Sequence, residues 1–148
     1  MSILKNIEKT FSEHEIRYFK GNDITGQIFN VPYCGIDNKN NHINIYIDID
    51  EENESITFNF LEKVNKNTEI DTVRKKLLDL NSDLAFGILC MRSDSDKIEY
   101  KLECKLKNRK INFDEYNLYI VRCIKIYEEL QKMEIIWLWT MHQITTTT

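Results

Sequence analysis

The stretch Ile43-Asn44-Ile45-Tyr46-Ile47-Asp48-Ile49-Asp50 carries isoleucine at every second position. Successive side chains on a β-strand point to opposite faces, so the run predicts a strand with an all-isoleucine side. Asn44, Tyr46, Asp48 and Asp50 form its polar side. An all-isoleucine face needs a hydrophobic layer against it. That requirement sets the search for what flanks the strand.

Working outward, the same alternation recurs on both sides. Phe29, Val31 and Tyr33 precede it, with Pro32 and Gly35 closing the run and Asp37–Asn41 forming a polar turn. Ile56, Phe58 and Phe60 follow it, across an acidic turn at Glu51–Glu54. Short polar turns between alternating runs predict an antiparallel meander. A second pair of runs follows: Leu84, Phe86, Ile88 and Cys90 on one face of a strand over 84–92, then Tyr100, Leu102, Cys104 and Leu106. Ser93-Asp94-Ser95-Asp96 reads as the hairpin loop between them.

Helical spacing supplies the covering layer. Ile3, Leu4, Ile7, Phe11 and His14 predict an amphipathic helix over 2–14. The stretch 15–26 leaves two readings open: Ile16 and Tyr18 either extend that helix or begin an extended segment broken by Gly21, Asn22, Asp23 and Gly26. Thr68 and Asp71 have capping-box spacing before a helix over 69–80, whose face is Ile70, Val73, Leu77 and Leu80, with Asn81-Ser82-Asp83 as its stop. Asn112 and Glu115 form a second such pair before a helix over 113–133. Its apolar stripe, including Tyr116, Tyr119, Ile120, Cys123, Ile126, Tyr127 and Leu130, covers nearly half the circumference. The expected fold class is α+β: an antiparallel sheet of about five strands with helices packed on it, in the order α-β-β-β-α-β-β-α.

The chain has 148 residues, 42% of them hydrophobic and 30% charged, which suits one domain with its own core. We expect that domain to occupy 1–134. The tail 135–148 differs: Ile135–Met141 is densely apolar and the end is four threonines. Threonine repeats are what polyhistidine codons become one base out of frame, so part of this tail is expected to be vector-derived; a native strand anchored by Trp137 and Trp139 is the alternative.

Charge and motifs exclude several functions. Net charge is −4 and pI about 5.4, so no excess of Lys and Arg exists to displace counterions from nucleic acid. Lys101, Lys105, Lys107, Arg109 and Lys110 read as a solvated strand face and its turn. No apolar run approaches the roughly 18 residues that span a membrane. The start MSILKNIEKT has charges at 5, 8 and 9 with no apolar run behind them, so it does not read as a signal peptide. A cytoplasmic protein with reduced, mostly buried thiols is expected.

Asp48, Asp50, Glu51 and Glu52 are the best oxygen-rich metal candidate, and read better as a solvated edge and turn. Asp94 and Asp96 begin like a calcium loop, without its glycine and distal glutamate. His14-Glu15 begins like a zinc-protease HExxH, but Tyr18 stands where the second histidine belongs. Cys104 and Cys123 lie on apolar faces as core thiols. No catalytic, cofactor or metal residue is expected.

What remains is apolar surface. The face of the 84–92 strand opposite Leu84, Phe86 and Ile88 carries Ala85, Gly87, Leu89 and Met91. A strand apolar on both faces is covered on both, here by the last helix and by a second subunit or the chain's own helices. Ala85, Gly87, Leu89 and Met91, with Tyr119 and Ile126 from the last helix, are the expected dimer or partner surface.

The segment Leu80-Asn81-Ser82-Asp83-Leu84-Ala85-Phe86-Gly87-Ile88, then a charged hairpin to Tyr100-Lys101-Leu102 and a closing amphipathic helix, resembles the YbjN-like domain family. That family is similar in fold to type III secretion chaperones. The resemblance implies an α-β-β-β-α-β-β-α domain that pairs as a homodimer and binds other proteins, without catalytic residues. A chaperone- or adaptor-like protein is the first functional expectation. An acidic inhibitor or immunity-type protein, with Asp48, Asp50, Glu51, Glu52 and Glu54 as its lip against a basic toxin or enzyme, is the second. A hydrolase or metal-dependent enzyme is the third.

Overall fold

Burial along His42–Asp50 alternates as the isoleucine spacing requires: Ile43, Ile45, Ile47 and Ile49 lie in the core and Asn44 is exposed. The structure, a computed structural model, describes residues 2–23, 26–92 and 96–136. Its elements are α1 (Ile3–Glu13), β1 (Phe19–Asp23), β2 (Gly26–Cys34), β3 (His42–Asp50), β4 (Ser55–Lys63), α2 (Ile70–Asp83), β5 (Ile88–Met91), β6 (Lys97–Lys105) and α3 (Phe113–Lys132). The strands form one antiparallel sheet in the order β1-β2-β3-β4-β6-β5.

The α+β class holds, with one correction: the sheet has six strands, not five. The added strand is β1, from the stretch left open between helix and extended chain. It is an edge strand held by backbone pairing to β2, Phe19 opposite Asn30 and Lys20 opposite Phe29. Backbone pairing needs no alternation of apolar side chains, so Gly21 and Asn22 read as a turn from sequence.

Register gathers the core on one face. Ile47 stands between Phe29 and Phe58, Phe58 between Ile47 and Leu102, and Phe60 beside Tyr100. α1 adds Ile3, Ile7 and Phe11; α3 packs across β3, β4 and β6. The Phe11 ring meets Phe29 and Tyr116 edge-on at centroid distances of 5.2 and 5.8 Å. Each buried side chain of this size contributes about 1.5–3 kcal/mol relative to exposure, so this layer dominates the fold. Ile135 and Ile136, beyond α3, are also buried in it.

Helix starts separate the two capping boxes. Asn112 caps α3, its Oδ1 accepting from the Glu115 N–H at 2.8 Å while its Nδ2 donates to the Glu115 carboxylate at 2.7 Å. The Thr68–Asp71 box is not formed. α2 starts after Glu69 with no side-chain cap, and the Thr68 hydroxyl donates instead to the Glu134 carbonyl at 3.2 Å. Past its last turn α3 leaves that carbonyl open, and it draws the hydroxyl. α2 also runs on to Asp83, through the expected stop, because Asn81 has partners outside the helix.

The β2–β3 connection is fastened from far away. Glu128 of α3 is 4% exposed, and its carboxylate accepts from the N–H groups of Ile36, Asp37 and Asn38 at 3.1, 2.9 and 2.9 Å. Side-chain amides of Asn41 and Gln131 bond each other both ways, at 2.8 and 2.9 Å. A Cβ on Gly35 would collide with the Asn38 carbonyl and the Glu128 carboxylate, so glycine is required there.

Residues 93–95, with the expected calcium-loop start at Asp94, lie outside the described residues. So do 137–148, with Trp137, Trp139 and the threonine tail.

Candidate interaction surface

The strand expected over 84–92 is shorter, and its faces are exchanged. Only Ile88–Met91 pair with β6. Gly87 has φ +82°, which resets the alternation before the strand begins. The Tyr100 ring lies beneath it, and the Tyr100 hydroxyl donates to the Phe86 carbonyl at 2.8 Å. Leu89 is therefore 2% exposed in the core, whereas Ile88 is 64% and Phe86 51% exposed.

The residues expected on the partner surface divide accordingly. Leu89 points inward and Met91 is half-buried against the core; neither is the outward contact the alternation predicts. Ala85 is exposed and Gly87 half-buried over Tyr100. Tyr119 and Ile126 are half-buried on α3. Tyr119 lies beside Cys104, Oη to Sγ 3.1 Å, and that contact together with burial pushes its hydroxyl up to about 12.

A different apolar set is outward. Of the seven exposed large apolar side chains among the described residues, Leu78, Phe86, Ile88 and Leu118 come from α2, the α2–β5 loop, β5 and α3. The Arg122 guanidinium sits 3.6 Å above the Phe86 ring, a cation–π contact that holds the ring in place. Leu118 lies one turn earlier on α3. Between α2 and β5 runs a groove of about 340 Å³, lined by Arg74, Leu77, Leu78, Asn81, Leu89 and Met91. Leu78 lies on this groove, whereas Ile88 faces the other side of the sheet. An exposed apolar side chain on an apolar groove marks an association surface more often than an isolated one does. The signal missed in sequence was Gly87, which a strict period-two reading passed over.

The opposite sheet face carries a second groove, about 580 Å³, lined by Asp48, Asp50, Thr57, Lys101 and Glu103 and, from β5, by Ile88 and Cys90. Its charges are engaged internally. Asp48 accepts from Asn59 Nδ2 at 3.1 Å, Asp50 from Asn53 Nδ2 at 2.8 Å, and Lys101 pairs with Glu99 at 3.5 Å. Asn53 holds the exposed Asp50 carboxyl below its ordinary value.

Two glutamates of the acidic lip are tied up in the same way. Glu51 accepts from the Ile3 and Leu4 N–H groups at the start of α1, at 2.8 and 3.3 Å, and pairs with Arg109 at 3.4 Å; Glu54 pairs with Arg109 as well. These carboxylates close the fold around the β3–β4 turn. On the basic side, Lys101, Lys105 and Arg109 are all in ion pairs.

Among the described residues, no three His, Cys, Asp or Glu side chains gather where they could hold a metal ion. Burial pushes the Cys123 thiol up to about 12, so it stays protonated and unreactive at neutral pH. Cys34 and Cys90 are exposed, against the expectation of mostly buried thiols; Cys90 moved outward with the exchanged faces of β5. No helix among the described residues is long and apolar enough to cross a membrane.

No family model matches the sequence, and no curated protein does. In three dimensions the chain is similar to the crystal structure of YbjN from E. coli, described as a candidate transcription regulator. The TM-score is 0.63 over 91% of this chain and 96% of that one, at 10% sequence identity. The fold is therefore YbjN-like. At that identity the likeness is one of fold alone.

Proposed function

We propose that this chain is a non-catalytic protein-binding module of adaptor or chaperone type, working as a homodimer through the α2–β5 corner and the adjoining turn of α3. The observation that carries the reading is the exposed Leu78 on the apolar groove between α2 and β5. Charge along α2 favours a second copy as the occupant. Arg74 and Lys75 precede Leu78, and Asp79 and Asp83 follow it. Two α2 helices crossing antiparallel at Leu78 set the basic half of each against the acidic half of the other, as a two-fold interface demands. A cytoplasmic setting fits the exposed thiols of Cys34 and Cys90, which a reducing compartment keeps free.

The regulator role ascribed to the YbjN structure gains support here only through protein contacts. The net charge of −4 and the paired lysines of β6 leave little cationic surface for DNA. Light scattering tests the reading. The wild type is expected at twice the chain mass, and Leu78→Lys at the single-chain mass with unchanged circular dichroism. A wild type that stays single at every concentration overturns the homodimer.

A further inference from the structure

Asn81, in the last turn of α2, does to β5 what a neighbouring strand would do. Its Oδ1 accepts from the Leu89 N–H at 2.8 Å and its Nδ2 donates to the Leu89 carbonyl at 2.7 Å. Backbone groups in an antiparallel ladder alternate between the two sides of a strand. Arg92 donates to the Lys97 carbonyl of the β6 side at 3.2 Å, so even-numbered residues face β6 and odd-numbered ones face the free edge. Leu89 and Met91 thus present that edge, and Asn81 occupies half of it.

We infer that Asn81 holds shut a latent strand-addition edge on β5, and that the partner this edge fits is a second copy of the same edge. The fit is geometric. A two-fold axis at Cys90 sets Leu89 opposite Met91 of the other copy, and Met91 opposite its Leu89. All outward N–H and C=O groups of both strands are then paired, and two six-stranded sheets become one. Edge strands with unpaired backbone groups invite such pairing, and proteins block it with a charge, a proline or a covering segment. Here a single amide does so from a helix. The inference rests on the bonds at Leu89 and not on the homodimer proposed above, which uses side chains of the same corner.

The test is Asn81→Ala, in a Cys34→Ser background so that Cys90 is the one exposed cysteine remaining among the described residues. Its mass by light scattering is expected to rise roughly twofold over its parent's as the edge pairs. The facing Cys90 residues would form a non-hydrogen-bonded pair, with Cα atoms about 4.5 Å apart, within disulfide range. Diamide, which takes two electrons and two protons from a thiol pair, is then expected to crosslink the variant through Cys90 on the order of ten times faster than the parent. Adding Met91→Pro should return both readouts to the parental value, because proline removes a donor from the paired edge. A folded Asn81→Ala with parental mass and crosslinking rate overturns the inference, as does association that survives Met91→Pro. If Asn81→Ala does not fold, Asn81→Ser carries the same test: it stays neutral, and its short side chain cannot reach both the Leu89 N–H and the Leu89 carbonyl. The same shift supports the edge and an unchanged mass overturns it. A failed homodimer would show in the wild type and Leu78→Lys; a failed edge shows only at Asn81.

Discussion

β3 and β5 carry the same alternating signal and answer it in opposite ways. Along β3 each isoleucine falls on the core face its spacing assigns. Along 84–91 the side chains assigned to the core, Phe86 and Ile88, are outside, and Leu89 is inside. β3 is flanked on both sides and runs unbroken over His42–Asp50, so its phase cannot slip. β5 is short, lies at an edge and follows a glycine of positive φ. Period two fixes a face only where the chain stays extended throughout the run.

Substitutions sharpen that contrast. The largest effect is expected in the central layer: Phe58→Ala should cost about 3–5 kcal/mol by urea denaturation, since its ring packs on Tyr116 and Tyr119. Next is the β5 pair. Leu89→Ala should cost about 2–4 kcal/mol and Ile88→Ala under about 0.5, and equal costs would restore the unreversed reading of that strand. Gly87→Ala should cost about 1–3 kcal/mol, because the φ is strained for alanine and its Cβ would stand 2.5 Å from the Tyr100 hydroxyl.

The smallest effect is a pH dependence. Burial holds the Tyr33 and Tyr100 hydroxyls up at about 12, above the ordinary tyrosine value of 10.0. A raised folded value means the native state keeps its protons longer. The contribution is complete below pH 10, and stability falls as pH rises from there through about 12. Tyr100→Phe should make that alkaline decline shallower in thermal melts, and an unchanged slope would remove Tyr100 from it.

Much of the architecture was legible because it is written in side-chain periodicity: α1, β2, β3, β4, β6 and α3 all follow apolar spacing. The Asn112–Glu115 cap was legible because its partners lie within one turn. The Thr68–Asp71 cap has the same spacing and fails, because Thr68 meets the end of α3, 66 residues away. β1 was obscured because edge pairing is a backbone matter. Asn81 and Glu128 escaped for a related reason: each is a polar side chain serving backbone groups elsewhere, and no local spacing announces that. On the 84–92 segment the alternation misassigned the outward side: Leu89 lies in the core and Ile88 outside it.

The Glu128 clasp has a consequence for how the chain is made. Hairpins usually complete themselves as they emerge, since their turns hold their own ends together. Here the loop between β2 and β3 waits for a carboxylate synthesised some 90 residues later. The Gly35 N–H and the Asn41 carbonyl close the base of the loop without α3, but the Ile36, Asp37 and Asn38 amides take their acceptor from it. Hydrogen exchange at those three amides is therefore expected to report the docking of the last helix.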